Sequence, residues 1–598
     1  MVKIGIPRIN KNIITDSQDN LLAILLDNHV FIERPCGGRG SCGKCKIKHI
    51  SGDLPPLGED EKKLLTEQEQ QAGIRLACCL YPQSDLLIDV IAQEQNHKVL
   101  KDGYVPKIQQ NPAIRKRVIE IPKPTIEEQT PYEDLFKREL GIDHIDFEIM
   151  RSLKMESGTF TAVYHINQLI GIEKGNTSLS CYGVAVDIGT TTVVASVIDL
   201  NTGAEIDSEA DLNAQKNFGQ DVLTRISYVQ ENGDRGIRDL QKAIVDLLNG
   251  MIKTICSRRG IDHNHIYEMS VAANCTMMHM LLGVEPLAIA AAPYAPIFVE
   301  GKNISAQSIG LVNVSRFARL NCLPAVSAYI GADIVAGAYV ANLQNAKNRI
   351  LFIDIGTNGE IVLSDKGRLV ACSCAAGPAL EGMNIRAGMR AADGAIEEIK
   401  ITENGIKLEV IGGGNPMGIC GSGILAAIRE LVKNKFINPN GMIIKRNSID
   451  DSDFRYQYIE VNGKKRSVCI TGGVKKITIT QGDVRQVQLA KSAILSGIIA
   501  LVNKIDIHMS DLDEVIIAGQ FGAHLPAESL VGTGIIPSEL KEKITYIGNS
   551  SKAGAYISLL SVEARNAMEK LAKKIEYTEL SVVDGYERLF IECSRFNV

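Results

Sequence analysis

The sequence predicts a multidomain α/β chain in which a small cysteine-bearing unit precedes a duplicated α/β unit, and three observations carry that expectation. The chain has 598 residues, roughly four times the ~150 residues of a common domain. Three of its cysteines fall on one glycine-rich stretch, CGGRGSCGKC, and two more follow in IRLACCL. From Tyr182 onward one layout occurs twice: an apolar strand, Asp-Ile-Gly-Thr, a polar turn and a second strand, in YGVAVDIGTTTVVASVIDLNTG (182–203) and ILFIDIGTNGEIVLSDKG (350–367).

Composition removes several function classes. Lys and Arg number 65 against 70 Asp and Glu, a formal charge of −5, and neither sign forms a long block, so no nucleic acid and no membrane surface is expected as a partner. Apolar residues make up 45%, yet no run approaches the ~20 consecutive apolar residues of a span. The start MVKIGIPRINKN lacks the apolar core of a signal peptide, and a cytoplasmic location is the expectation. Fourteen cysteines in a reducing compartment read as metal ligands or buried small hydrophobes rather than disulfides.

In chain order, residues 1–97 alternate short apolar runs around the glycine-rich loop, which suits a compact mixed unit. Residues 98–125 hold prolines and charged clusters such as RKR and read as an extended linker, at most ~100 Å long at 3.3–3.6 Å per residue. Residues 126–180 alternate helical and strand-like patterns, as a small α+β middle domain would. Residues 181–598 form two duplicated lobes. A second matched pair, EMSVAANCTMMHML (268–281) and EVIIAGQFGAHL (514–525), extends the duplication. Unequal spacing between the paired motifs calls for an insertion in the second lobe, near 391–480.

In the first unit, Cys36, Cys42 and Cys45 are separated by five and two residues, and Cys78 lies 33 positions further on. Thiolates are soft ligands for iron, and three on one loop with a distant fourth suit a [2Fe-2S] cluster. Gly37, Gly38, Gly40 and Gly43 let the backbone curl so that N–H groups can reach the sulfides. Two other readings compete. Zinc ribbons favour two CxxC pairs, whereas this loop has one; GRGSCGK (38–44) matches a P-loop, but Cys45 stands where Ser or Thr would hold Mg²⁺. This unit resembles the β-grasp ferredoxins, with a five-residue first gap. Cys79 competes with Cys78 for the fourth ligand position, and the ferredoxin pattern after Arg-Leu-Ala favours Cys78.

Two Asp-Ile-Gly-Thr hairpins facing each other form an anion cradle. Backbone N–H groups of Gly189, Thr190 and Thr191, and of Gly356, Thr357 and Asn358, can grip phosphate oxygens, with hydroxyls adding directional bonds. Asp187 and Asp354 can hold Mg²⁺ mostly through water. The region 182–598 resembles the actin-like ATPase superfamily of sugar and acetate kinases, heat-shock chaperones and actin. That resemblance assigns residues 187–192, including Thr192, to one phosphate motif and 354–358 to the other, with Gly519 and Gly522 in an adenosine motif. Gln520 departs from the Gly-Gly pair usual there. Small-residue runs YIGADIVAGAYV (329–340) and GNSSKAGAYISLL (548–560) fit crossing helices at an interlobe hinge, where Gly331, Gly337 and Gly554 allow close approach. Asp333 then reads either as a carboxylate orienting the attacking water or as a helix-face carboxylate. The run GICGSGILAAI (418–428) either points N–H groups at nucleotide or packs a helix tightly.

The whole chain resembles the reductive activators of corrinoid proteins, on the runs NAQKNFGQDVLTRI, CAAGPALEG, ITQGDVRQVQLAKSAI and GQFGAHL. The resemblance implies ATP-dependent transfer of an electron from the [2Fe-2S] cluster to Co(II) of a corrinoid-binding protein, regenerating Co(I). It further implies ATP and Mg²⁺ as cofactors, an external low-potential electron donor, and a partner from a methyltransferase system or a corrinoid iron-sulfur protein; a homodimer is an assembly it allows. The alternative is an activator of the 2-hydroxyacyl-CoA dehydratase type, which drives a low-potential electron into another metalloenzyme.

Overall fold

The structure, a computed structural model, describes residues 1–7, 11–16, 18–28, 30, 32, 40, 43, 45–90, 106, 108–151, 153, 156–463, 465–472, 476–519 and 525–596. The first unit comprises β1 (Val2–Ile6), β2 (Lys11–Thr15), α1 (Leu21–Asp27), β3 (Lys46–Ser51), α2 (Glu59–Leu64), α3 (Glu67–Gln71), β4 (Ile74–Leu76) and β5 (Leu86–Val90). The strands form one mixed sheet in the order β2-β1-β5-β3-β4. β1 pairs β5 in parallel and β2 antiparallel. Alternation decides which faces are buried: Ile4 and Ile6 of β1, Ile47 of β3 and Ile88 of β5 share a core with Leu21, Leu22, Ile24 and Leu25 of α1. Glu61 of α2 is buried and receives Arg75 Nη2 at 2.8 Å, Arg75 Nε at 2.9 Å and the Leu76 N–H at 3.0 Å.

The middle unit holds β6 (Ile114–Ile121), α4 (Tyr132–Leu140), α5 (Phe147–Met150), β7 (Gly158–His165) and β8 (Gln168–Lys174). Its strands form an antiparallel sheet in the order β6-β7-β8. This changes the expected linker over 98–125, because Ile114–Ile121 within it is a full strand. Ile114, Ile119 and Ile121 are buried while most of the charged residues between them face out, a half-buried strand whose RKR cluster imitates a solvated connector. The chain is fastened even earlier. The Asn111 N–H donates to Leu560 O at 2.7 Å, the Val562 N–H returns to Asn111 O at 3.0 Å, and Gln110 Nε2 reaches Thr202 O at 3.1 Å. The middle unit is docked on the first lobe by buried polar groups. Lys116 Nζ is 3.0 Å from Glu173, which also accepts the Tyr267 hydroxyl, and His165 Nε2 (3.3 Å) and Arg565 Nη1 (2.9 Å) converge on buried Glu268.

The first lobe contains β9 (Tyr182–Ile188), β10 (Thr192–Asp199), β11 (Glu205–Leu212), α6 (Val222–Arg259, interrupted at Gly233), β12 (Ile266–Ala273), α7 (Cys275–Leu282), β13 (Lys302–Ser305) and β14 (Arg319–Cys322), followed by α8 (Ala332–Val340). The second begins with β15 (Arg349–Ile355), β16 (Gly359–Asp365) and β17 (Arg368–Cys374). Next come β18 (Ala395–Thr402), β19 (Gly405–Val410), β20 (Gly418–Ile419), α9 (Gly421–Lys433), β21 (Ile459–Asn462), β22 (Lys465–Thr471), β23 (Ile477–Thr480) and α10 (Gln481–Lys504). It ends with β24 (Glu514–Ala518), α11 (Ala527–Gly532), β25 (Ile544–Gly548), α12 (Ser550–Leu560), α13 (Val562–Ala572), β26 (Glu576–Tyr577) and α14 (Tyr586–Glu592).

The two main sheets run β11-β10-β9-β12-β14-β13 and β25-β24-β15-β16-β17-β26. Each places an antiparallel three-strand meander beside two parallel strands, and the duplication extends to register. Asp187 of β9 stands opposite Ala272 of β12, and Asp354 of β15 opposite Ala518 of β24. The extra length of the second lobe lies between β17 and α10, as two three-stranded sheets, β19-β18-β20 and β21-β22-β23, with α9.

α8 and α12 cross between the lobes. Ile334 and Ala338 of α8 pack with Phe352, Val362 and Ile516 of the second sheet, whereas Ala555, Ile557 and Leu559 of α12 join the core of the first. Small residues make the crossing close: a Cβ at Gly554 would stand 2.4 Å from Ala336 Cβ, and one at Gly337 would stand 2.6 Å from Phe352 Cζ. Among the described residues α10 alone is long and apolar enough to cross a membrane, and 72% of its apolar window is buried inside the fold.

Candidate functional site

The site between the lobes starts from the two hairpin turns. Each turn closes on itself: the Gly189 N–H donates to Thr192 O at 2.9 Å and the Gly356 N–H to Asn358 O at 3.0 Å. These two amides, expected to grip phosphate, are therefore spent within their hairpins, since a turn this tight leaves its first N–H no other direction. The amides of Thr190, Thr191, Thr357 and Asn358 remain for a ligand. The first turn is braced from below: Asn213 Nδ2 donates to Gly189 O at 2.8 Å, the Asn213 N–H to Thr191 O at 2.9 Å, and buried Arg225 Nη2 to Thr190 O at 2.5 Å. Asn274, which caps α7, donates to Thr190 Oγ1 at 3.2 Å. Thr192 opens β10, paired with Leu212, and is buried.

Three carboxylates from separate elements meet here. Asp187, at the end of β9, accepts Ser551 Oγ at 2.7 Å and Asn549 Nδ2 at 2.9 Å, both from the start of α12. Removal from water pushes its carboxyl above the ordinary value in spite of those two donors. Asp333, in the first turn of α8, is pushed up to about 7 by burial, with the Asp187 charge adding to the rise. Asp354 is pushed up to about 8 by burial and by the charges of Asp333 and Asp187. Asp333, half-buried in the first turn of α8, is thus close enough to Asp187 and Asp354 for their charges to act on one another. Glu360, opposite Asp354 across the hairpin, is raised too, by burial and then by Asp333 and Asp354. Lys552, the cation nearest in effect to Asp187, is paired with Glu205 at 2.8 Å. So much withdrawn negative charge suits a hard cation. Gly519 ends β24 with φ +93, and a Cβ there would stand 2.4 Å from Asp354 Oδ1, so the second lobe brings its backbone directly against this carboxylate. Gly522 and Gln520 lie outside the described residues.

Glu381 follows β17 in the turn Pro378–Glu381 and is 3% exposed. It accepts Thr357 Oγ1 at 2.5 Å and Thr191 Oγ1 at 3.3 Å, one hydroxyl from each hairpin. Residue patterns pointed to its run, CAAGPALEG, but to no role for the carboxylate. Asn549, Ser551, Asn274 and Arg225 were also missed. The GICGSG run packs a helix: Cβ atoms at Gly421 and Gly423 would stand 1.9 Å from Leu380 O and 2.1 Å from Ile396 O, and Cys420 Sγ donates to Ile396 O at 3.2 Å.

In the first unit, Cys36 and Cys42 lie outside the described residues. Cys45 and Cys78 are both buried, with their sulfurs 3.2 Å apart, and Cys79 Sγ is 3.7 Å from Cys78 Sγ. Cys45 Sγ thus donates a hydrogen bond to Cys78 Sγ, both cysteines being free thiols. The Cys78 thiol is pushed far up, first by the hydrogen bond with Cys45 and then by burial. Two thiols this close fit a soft cation that displaces their protons. Gly40 (φ +72) and Gly43 (φ +65) take the left-handed backbone that a curled loop needs.

Comparison with known proteins follows the same division. Residues 8–83 match the 2Fe-2S iron-sulfur cluster binding domain, 105–179 the RACo linker region, 182–346 the RACo middle region, and 348–597 the C-terminal domain of RACo, the ASKHA domain. The match to 105–179 joins β6 to the unit that follows it. The corrinoid activation enzyme RamQ of Eubacterium limosum is 30% identical over 576 residues, covering 92% of each chain. The [Co(II) methylated amine-specific corrinoid protein] reductase of Methanosarcina barkeri is 25% identical over 438 residues, covering 66% of this chain and 73% of that one. A solved structure described as a reductive activator for corrinoid, iron-sulfur protein superposes over 100% of this chain and 98% of its own, with 31% identity and a TM-score of 0.72. With a cysteine-bearing first unit, a docked middle unit and a duplicated cleft matched along their whole length, the chain belongs to the RACo family of reductive activators of corrinoid proteins.

Proposed function

We infer that this protein reductively activates a corrinoid protein, returning its cobalt from Co(II) to Co(I), and that ATP hydrolysis in the interlobe cleft drives the step. The observation that carries the ATP reading is the convergence of Asp187, Asp333 and Asp354 on paired phosphate hairpins whose hydroxyls meet at one carboxylate. Thr190, Thr191, Thr357 and Asn358 offer amides and side chains to the phosphates. Asp187 and Asp354 would hold Mg²⁺, which when bound supplies charge neutralisation for phosphoryl transfer. Asp333, withdrawn from water at the start of α8, orients the attacking water.

Cys36, Cys42, Cys45 and Cys78 would hold a [2Fe-2S] cluster, which when bound supplies single electrons at low potential. The Co(II)/Co(I) couple lies well below the about −400 mV of a plant-type ferredoxin, so the electron moves uphill unless another step contributes. A cleft with two conformations of unequal affinity for nucleotide and for partner provides the coupling. The α8–α12 crossing is the element that allows such a pair. The reading includes a cytoplasmic location, an external low-potential donor and a corrinoid-binding partner.

The test mixes full-length, cluster-loaded, reduced protein with a Co(II) corrinoid protein and follows Co(I) absorbance. Co(I) should form only with Mg-ATP present, and Asp187→Asn or Asp354→Asn should remove the ATP dependence along with the Co(I). Equal Co(I) formation without ATP would sink the coupling.

A further inference from the structure

Glu381 sits where the two phosphate hairpins come together, and the reading above takes it as a meeting point without giving its carboxylate a role. Its carboxylate accepts Thr357 Oγ1 from its own lobe and Thr191 Oγ1 from the opposite one, at 2.5 and 3.3 Å. The backbone beneath it is rigidly placed. Gly377 and Gly382, with φ of +73 and +77, bracket the turn, and a Cβ at Gly382 would stand 2.4 Å from Met389 O. The start of α9 presses on the same turn, because a Cβ at Gly421 would lie 1.9 Å from Leu380 O and 3.5 Å from Glu381 Cα. The backbone of Glu381 therefore cannot shift without disturbing α9, a helix of 13 residues in the second-lobe core.

A threonine hydroxyl has one proton to donate. While Thr191 and Thr357 bond Glu381, neither can donate to a phosphate oxygen. A phosphate placed among the same groups would also face the carboxylate as a like charge. Donating these two hydroxyl protons to phosphate and donating them to Glu381 are thus mutually exclusive. Burial already holds the Glu381 carboxyl above its ordinary value, against the favourable influence of Thr357, Arg390 and Thr191, so this position tolerates negative charge poorly.

We propose that Glu381 is a positioning residue, a carboxylate clasp that holds one threonine hydroxyl from each phosphate hairpin in the nucleotide-free chain and yields both to the phosphates of a nucleoside triphosphate. The clasp keeps the donors aligned and the lobes at a fixed spacing before nucleotide arrives. Its release links occupancy of the cleft to the turn beneath α9. The inference rests on the ATP reading above and adds to it a competition between one side chain and the ligand.

The experiment measures binding of a non-hydrolysable ATP analogue and steady-state ATP hydrolysis for full-length wild type, Glu381→Ala and Glu381→Gln, each with its melting profile. Removing the competing acceptor should tighten analogue binding about tenfold in Glu381→Ala, the worth of one hydrogen bond to a charged group. The hydrolysis rate should fall by a similar factor because the hydroxyls lose their alignment. A residue that only stabilised the fold would not move affinity and turnover in opposite directions. Glu381→Gln keeps an acceptor oxygen without the charge and should fall between, with about threefold tighter binding; it also serves if the alanine variant does not fold. Adding Thr191→Val to Glu381→Ala should weaken binding more than Thr191→Val does in the wild type, since in the wild type that change also removes the competing bond to Glu381, whereas in the unclasped chain it removes the phosphate bond alone. Unchanged or weaker analogue binding in a folded Glu381→Gln chain, with wild type binding normally, overturns the clasp alone. Failure of wild type to bind the analogue overturns the ATP reading and the clasp together.

Discussion

Gly554→Ala tests the crossing of α8 and α12 with the smallest change available. The added Cβ would stand 2.4 Å from Ala336 Cβ, 2.8 Å from Ala336 Cα and 3.2 Å from Ala336 C. Carbon atoms rest at about 3.5–4.0 Å, so the helices must part by roughly 1 Å. Overpacking of this kind costs about 1–3 kcal/mol, and the better helix propensity of Ala returns about 1 kcal/mol. The net loss is about 0–2 kcal/mol, worth a few degrees at most in melting temperature for a unit of this size. Activity is the more sensitive readout. If that strain must be borne each time the lobes close, turnover falls by up to about 30-fold, since 1.36 kcal/mol is a factor of ten in rate. The assay is ATP hydrolysis by full-length protein with a Co(II) corrinoid protein present, beside a thermal melt. Combining Gly554→Ala with Ala336→Gly removes the Cβ–Cβ overlap but leaves the Cα in place, so part of the activity should return and part should not. A Gly554→Ala chain that melts and turns over like wild type would refute the argument, as would a double variant no better than the single.

Cys78→Ser should abolish the visible absorbance of the cluster while Cys79→Ser keeps it; the opposite result would move the fourth ligand by one residue. Glu61→Gln should destabilise the first unit by about 3–5 kcal/mol, the loss expected when one partner of a buried ion pair is removed, measured by denaturant unfolding. Burial opposes the Glu61 charge, but the hydrogen bonds from Arg75, Leu76 and Gly58 outweigh it and hold its pKa down. Its contribution is therefore complete above the ordinary glutamate value of about 4.3 and is lost as pH falls through the lower folded value; equal acid sensitivity in wild type and Glu61→Gln would contradict this. Buried Lys491 donates to Cys593 O at 2.5 Å and Arg595 O at 2.8 Å, and burial pushes its pKa down to about 8. The unfolded chain then binds more protons between about pH 8 and 10.4, so this group makes stability rise with pH across that window. Lys491→Met should remove that rise, and parallel stability curves for the two chains would argue against it.

Local patterns made the duplication and the close helix crossing legible. Each Asp-Ile-Gly-Thr turn is a short-range signal, and the small residues of α8 and α12 announce a close crossing before any contact is known. The cysteine loop is equally local. What stayed hidden depends on partners far away in sequence. Ser551 and Asn549 meet Asp187 across more than 360 positions, and Glu381 meets Thr191 across 190. A buried carboxylate inside an apolar run carries no periodic signature to betray it. β6 was missed for a different reason: prolines flank it and charges fill its outer face, so the alternation that marks a half-buried strand is read as a solvated connector. The Gly189 and Gly356 amides were misassigned because a sequence shows which donors exist but not which are already engaged.

The fastening of the chain at residues 108–111 sets the length of a leash. Ile108 packs on the first-lobe core and Asn111 is tied to both ends of the α12–α13 junction, so only the 18 steps from Val90 to Ile108 separate the cysteine-bearing unit from a fixed post. Whatever path those steps take, they span no more than roughly 65 Å at 3.3–3.6 Å each, against the ~100 Å that a free 98–125 segment would allow. The cysteine-bearing unit therefore stays within that distance, plus its own width, of one corner of the first lobe. A corrinoid protein that takes an electron from that unit must bring its cobalt within the same reach.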